Sequence, residues 1–332
     1  MMKIKLFFIL FFFINTNFVF AEDDLFNEWL IKFKKEAISE GISIETLELV
    51  MSDAKFLPNV IKYDRYQPEF YEDTKTYVTK RTSQKKLKNG LNLYSKNKNL
   101  INNIEKEFKV EKELLLALMG IETNFGKYLG KMDIISSLAT LSYDKRRSAF
   151  FTNELITILK LIDNKIIDYK TLYGSWAGAF GNFQFMPTTI QRYALDYDKT
   201  EGINLKSIED SFASAANYIN LLGWNNKMPC FIKIELNDSI PQKYLNTSAR
   251  NIKNKKKFKF FKKYIKNQEL INIDENLYSA IITPDKDIVE NSDDLKPAFL
   301  VFKNYELILK WNRSLRFALA VCTLKDNFKN EL

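Results

Sequence analysis

Lys112–Gly126 reads KELLLALMGIETNFG, and this run decides the fold. Leu114, Leu115, Leu116, Ala117, Leu118, Met119 and Ile121 place apolar side chains around nearly the whole circumference of one helix. A helix that is apolar on every side belongs in a protein interior. One carboxylate, Glu122, sits near the end of this helix, flanked by Ile121 and Phe125, with Gly126 as the expected stop signal. A carboxyl group there is desolvated and faces the negative end of the helix dipole, and both effects raise its pKa. A carboxylic acid still protonated near neutral pH suits a general acid. The plainer alternative is a glutamate reaching solvent at a helix end.

Outward from this helix the pattern stays helical toward the N-terminus. Leu25–Ala37 alternates apolar and charged residues near a 3.6 period. Pro58 is expected to break the chain, with helix resuming around Pro68. On the C-terminal side glycines gather at 126, 130, 174, 178 and 181, so 172–187 reads as loop leading into a short helix. Helix returns at Ser211–Leu222 and stops at Gly223. Beyond Trp224 the character changes, and Cys230–Leu236, Ala280–Thr283 and Phe299–Phe302 read as strands. Leu307–Leu324 reads as helix or mixed structure. The expected class is therefore mainly α with a small β-containing part (α+β). The expected organisation is an N-terminal helical region (22–110), a catalytic core (111–225), a small β-containing subdomain (226–300) and a C-terminal segment (301–332) returning to the core.

Composition narrows the chemistry. No histidine occurs among the 332 residues, which excludes a Ser-His-Asp triad, a Cys-His dyad and every histidine-ligated metal centre. The two cysteines, Cys230 and Cys322, are too few for a zinc site on their own. They read either as a disulfide in an oxidising compartment or as two buried thiols. The formal charge of +9 suits a polyanionic partner, and it equally suits a chain whose composition favours lysine.

Residues 1–21 carry Lys3 and Lys5, then nine uninterrupted apolar residues from Leu6 to Ile14, then Val19 and Ala21 at the −3 and −1 positions of a cleavage site. That is the layout of a secretory signal peptide. The expectation is export, a mature chain beginning at Glu22, and no lipid anchor, since no cysteine lies near Ala21. Export also argues against nucleic acid as a partner. This bears on Lys253–Asn267, KNKKKFKFFKKYIKN, where eight lysines interleave with Phe258, Phe260, Phe261 and Tyr264. Such a run could serve single strands. In an exported protein it reads better as an amphipathic helix with aromatics inward and lysines solvated.

Six motifs carry a resemblance. In order they are YDRYQPEF, GIETNFGKYLG, LATLSYDKRRSAFF, GSWAGAFGNFQFMPTT, NYINLLGW and PAFLVFKNYELILKWNRSLRFALAV. Together they resemble the lytic transglycosylase B family, soluble and membrane-bound, over about residues 25–330. The resemblance implies a lysozyme-like catalytic core. It also implies cleavage of the β-1,4 bond between N-acetylmuramic acid and N-acetylglucosamine in peptidoglycan, leaving a 1,6-anhydromuramyl end. Glu122 would be the acid and then the base. Ser175 would orient it, and Gln184, Asn312, Trp311 and Tyr77 would contact sugar. Arg146 and Arg147 would take the anionic stem peptide through the bidentate fork that suits carboxylates.

The chain departs from the family at two aromatic positions. Trp311 and Phe317 stand where it has tyrosines, so stacking is expected to survive there while hydroxyl hydrogen bonds are lost. Some relatives carry a calcium loop. Here Asp196–Ser207 offers Asp196, Asp198, Thr200 and Asn204, but Glu201 replaces the glycine of position 6 and Ser207 the glutamate of position 12, so a solvated acidic turn is expected ahead of a calcium site. No cofactor is expected to be required. Expected partners are glycan strands and cell-wall synthesis proteins, with no nucleic acid, no membrane anchor after signal cleavage, and a monomeric state. Two other readings stay open. A muramidase would need a second carboxylate, for which Asp133 and Asp144 lie nearby in sequence, or a well-held water opposite Glu122. The other is a non-catalytic peptidoglycan-binding protein.

Overall fold

The computed structural model describes residues 17–66, 71–286 and 288–332, with side chains from residue 24 on. The expected signal segment up to residue 16 and positions 67–70, where helix was expected to resume at Pro68, lie outside the described residues. The helices are α1 (Asn17–Ser39), α2 (Ile44–Met51), α3 (Pro58–Arg65), α4 (Thr74–Arg81), α5 (Gln84–Lys96), α6 (Lys98–Phe108), α7 (Lys112–Thr123), α8 (Ile134–Tyr143), α9 (Ser148–Asp163), α10 (Pro187–Tyr193), α11 (Ile208–Leu221), α12 (Phe258–Phe261), α13 (Lys303–Trp311) and α14 (Leu315–Lys329). The strands are β1 (Met132–Asp133), β2 (Tyr173–Gly174), β3 (Phe231–Ile234), β4 (Leu245–Asn246), β5 (Lys256–Lys257), β6 (Tyr278–Ile282) and β7 (Ala298–Val301). The chain is mainly α with small sheets, as the periodicity indicated. Pro58 starts a helix rather than breaking one, because its missing N–H costs nothing in a first turn.

Contacts divide the chain into two units. The first gathers the described residues up to 65 with 130–180 and 185–192. In it α8 packs on α9, and α1 and α3 pack on α8. Asp133 caps α8 by accepting from the Ser136 N–H at 2.6 Å. The short β1–β2 ladder pairs Met132 with Gly174. It passes close to Gly130, where a Cβ would meet the Gly174 carbonyl oxygen at 2.0 Å, so only glycine fits.

The second unit holds 66–129, 181–184 and 193–332. Its centre is α7, buried from Leu114 to Gly120. Helices α5, α7 and α14 approach closely through two glycines. A Cβ on Gly90 would lie 2.2 Å from the Phe328 ring, and one on Gly120 2.8 Å from the Phe125 ring. The strands form a sheet ordered β3-β7-β6-β4 with β5 pairing β6, antiparallel except for β4 against β6. Ile234, Phe258, Phe261, Ile281, Leu300 and Phe302 build its own apolar core.

The lysine-rich run departs from the expected helix. It is a two-residue strand, the single turn of α12 and a 3₁₀ turn at Lys262–Tyr264. Eight lysines in one short stretch repel along a helix face, whereas pairing Lys256 and Lys257 with β6 anchors the segment to the sheet. The division of faces is as expected: Phe258 and Phe261 are buried and most of the lysines are exposed. Cys230, just before β3, is joined by a disulfide to Cys322 in α14, so of the two open readings the bonded one holds. Among the described residues no helix is long and apolar enough to cross a membrane.

Candidate active site

Helix α7 ends at Thr123, three residues before the expected stop at Gly126. Asn124 adopts the left-handed conformation at φ 49° and its N–H returns to the carbonyls of Gly120 and Met119. Asparagine tolerates that conformation better than most residues. Phe125 and Gly126 continue with positive φ, turning the chain away sharply. Thr123 fixes this end: its buried hydroxyl donates to the Asn182 carbonyl at 2.8 Å and accepts from the Gly126 N–H. Asn182 in turn donates its amide to the carbonyls of Lys206 and Ser207 and to Ser211 Oγ. Neither Asn182 nor Thr123 stood out in the sequence, since a buried polar tie looks like any other threonine or asparagine there.

Glu122 is half-buried on the last turn of α7 and borders a cavity of about 300 Å³. Ser83, Lys85, Lys86 and Asn89 form one wall; Ile121, Thr123, Asn124 and Tyr128 complete it. Glu122 is the one carboxylate in that lining. The Trp311 indole N–H donates to Glu122 Oε1 at 2.9 Å. The expectation that replacing tyrosine by Trp311 removes the hydrogen bond is therefore corrected: the indole supplies its own donor. Lys86 donates to the Gly120 carbonyl at 2.6 Å. Burial pulls its amine down to about 8, with Arg81 adding to the effect and Glu122 opposing it. Sequence reasoning missed Lys86, one lysine among many.

The other expected residues divide by unit. In the second, Trp311 and Asn312 end α13, and Asn312 is half-buried beside the indole. Gln184 has φ 49° and spends its amide hydrogens on the carbonyls of Leu129 and Gly181. Tyr77 is buried, with the Arg81 guanidinium 3.5 Å from its ring centre, so that face is covered. Phe317 is buried in the first turn of α14 and offers no face for the sugar stacking expected there.

In the first unit, Ser175 Oγ accepts from the N–H groups of Ala177 and Ala179 in a tight turn. Arg146 and Arg147 both bind the buried carboxylate of Asp64: Arg146 Nε donates to Oδ2 at 2.7 Å, and Arg147 bonds Oδ1. One carboxylate against two guanidiniums leaves one positive charge, on side chains still 45% and 39% exposed. The candidate second carboxylates have other tasks. Asp133 caps α8, and Asp144 pairs with Arg65 at 2.8 Å.

In the acidic loop, Asp196 and Asp198 lie with Asp210 such that one carboxylate oxygen of each falls within 4.8 Å of the others. Asp210 is fully buried and holds the loop through the N–H groups of Tyr197, Asp198 and Asn204. The sequence reading missed it because it lies beyond the twelve residues of a standard loop. Thr200 and Asn204 bond within the loop, to Asp198 and Lys206, and Ser207 caps α11.

Comparison with known proteins places this geometry among relatives. Membrane-bound lytic murein transglycosylase B of Escherichia coli (strain K12) is 31% identical over 194 residues, which is 55% of this chain and 54% of that one. The chain thus matches about half the length of that curated relative. Pseudomonas aeruginosa SltB3, solved in complex with NAG-anhNAM-pentapeptide, superimposes with a TM-score of 0.80 at 28% identity, covering 92% of this chain and 79% of that one. Escherichia coli Slt35, solved with calcium, superimposes at 0.75 with 23% identity, over 94% and 95% of the two chains, and shares the fold. The mainly α, lysozyme-like architecture is therefore as expected. The transglycosylase SLT domain pattern matches residues 25–326, and the chain belongs to that family.

Proposed function

We propose that the protein is a peptidoglycan lytic transglycosylase acting in the periplasm on the β-1,4 bond between N-acetylmuramic acid and N-acetylglucosamine. The observation that carries this reading is the cavity bordered by Glu122 and, among the described residues, by no other carboxylate. Ordinary glycosidases use two, an acid and a nucleophile or base. With one, the substrate's own C6 hydroxyl can serve as the nucleophile.

The Glu122 carboxyl donates its proton to the bridging oxygen, and the C1–O bond breaks with its electron pair leaving on the N-acetylglucosamine oxygen. The muramyl C6 hydroxyl then attacks C1, and its proton returns to the Glu122 carboxylate. Water is neither consumed nor released, and a 1,6-anhydro end forms. Ring closure within one sugar needs orientation rather than encounter, which a fixed site supplies. Asn312 and the carbonyl oxygen of Gln184 would hold sugar beside the acid. For Tyr77 the buried ring leaves packing as the better-supported role. The role of Ser175 rests on its motif. The exposed edges of Arg146 and Arg147, carrying one residual positive charge, would face the stem-peptide carboxylates. A cation such as calcium would bind at Asp196, Asp198 and Asp210 as a loop brace, away from bond cleavage. The relatives, Pseudomonas aeruginosa SltB3 in complex with NAG-NAM-pentapeptide among them, support the substrate class.

Glu122→Gln keeps the shape and an acceptor for Trp311 while losing the proton. Its release of soluble muropeptides from purified peptidoglycan should fall by roughly a thousandfold. Turnover equal to wild type would overturn the assignment. A folded wild-type protein that releases nothing would favour a binding role.

A further inference from the structure

The indole N–H of Trp311 reaches one particular oxygen of the acid, Oε1, at 2.9 Å. The ring has little freedom to leave it. It stacks on Tyr218 at 5.2 Å and 24°, and Tyr218 stacks on Tyr193 at 4.3 Å and 22°. Phe183 abuts it edge-on at 6.2 Å, and Phe183 is itself held by Phe212. Phe183 and Phe212 are fully buried, and the Tyr218 hydroxyl is tied to the Lys310 carbonyl at 3.2 Å. Rotating the indole would displace a column of packed rings.

An indole N–H can only donate, whereas a tyrosine hydroxyl can donate or accept. If the proton of Glu122 sat on Oε1, that oxygen would be a hydroxyl, a much poorer acceptor for the indole N–H than a carbonyl or carboxylate oxygen. We propose that Trp311 is a positioning residue for the acid, confining the carboxyl proton to Oε2 and so fixing which oxygen delivers it to the leaving group. The proposal rests on the reading of Glu122 as the acid. It gives the tryptophan a task different from sugar stacking. It also explains how this chain can do without the tyrosine hydroxyl: the donor is retained, and the choice of protonated oxygen is narrowed.

The same bond favours the ionised carboxylate, because a donor stabilises negative charge. Removing it therefore raises the pKa of Glu122. Charged neighbours at the cavity are Lys86 and Lys85 of α5, with Arg81 of α4 acting on Lys86. These stay in place when Trp311 is changed.

The test compares wild type, Trp311→Phe, Trp311→Tyr and Glu122→Gln on soluble glycan fragments across pH, with folding checked by circular dichroism. Trp311→Phe keeps an aromatic ring and loses the donor. The alkaline limb of kcat/KM should move up by about one unit, a tenfold gain in proton affinity, with kcat falling about tenfold. Trp311→Tyr, which returns a donor, should bring the limb back toward wild type. A Trp311→Phe profile that superimposes on wild type, with only KM raised, overturns the proposal in favour of a sugar platform. So does a profile with no change at all. An active Glu122→Gln overturns the acid assignment itself. An inactive Glu122→Gln beside an unshifted Trp311→Phe overturns the positioning role alone.

Discussion

Replacing Cys230 and Cys322 together by alanine tests how the sheet is tied to the helices of the second unit. The bond spans 92 residues of sequence, from the start of β3 to the middle of α14. Closing a loop of that length in the unfolded chain removes entropy worth about 4–5 kcal/mol at 25 °C. Both cysteines are buried, at 4% and 0% exposure. Alanine is the better substitute, because serine would bury a hydroxyl without an assured partner. The two missing sulfurs add about 1 kcal/mol of lost packing. The expected loss is therefore roughly 5 kcal/mol, a fall in Tm of about 7 °C for a chain of this size. Urea unfolding followed by circular dichroism and by tryptophan fluorescence measures it. The slope should also steepen, since an uncrosslinked denatured chain exposes more surface. A loss below about 1 kcal/mol, with wild type free of titratable thiols, would refute the chain-entropy reasoning.

Gly90→Ala sets two effects against each other. Alanine gains about 1 kcal/mol in helix propensity, while a Cβ 2.2 Å from the buried Phe328 ring forces repacking at about 1–3 kcal/mol or more. The net expectation is a loss of about 1–2 kcal/mol by urea unfolding, and a gain would show that α5 and α14 can part. Lys86 should titrate near 8 when its signal is followed by NMR, and Glu122→Gln should lower that value, because Glu122 holds it up. Since the folded pKa lies below the ordinary 10.5, the burial penalty is full below about pH 8 and fades toward pH 10.5, so this group makes stability rise with pH across that window. Calcium at ten times its Kd should stabilise the protein by about 1.4 kcal/mol, a rise of a few degrees in Tm. Asp198→Asn should abolish the shift, and an unchanged Tm in wild type would rule out the loop as a binding site.

Much of this was legible in the residues. Leu114–Ile121 announced a buried helix because seven apolar side chains leave it no polar face, and α7 lies where that run stands. The alternation over Cys230–Leu236 and the strand-like stretch Ala280–Thr283 marked what became Phe231–Ile234 and Tyr278–Ile282. What stayed hidden depends on distant partners. Nothing local says that Trp311 donates to a glutamate 189 positions away, or that Asp64 holds two arginines more than eighty positions on. The lysine-rich run misled because its aromatics suit either a helix or a strand followed by tight turns, and only pairing with β6 decides. Asp210 escaped because loop numbering stops short of it.

The central claim is that one carboxylate and the substrate's own C6 hydroxyl suffice. Digesting purified peptidoglycan in ¹⁸O-labelled water and weighing the released muramyl ends tests it directly. The account predicts ends lighter by one water and free of label, since water does not enter the reaction. Reducing ends that carry ¹⁸O at C1 would contradict it and establish hydrolysis instead.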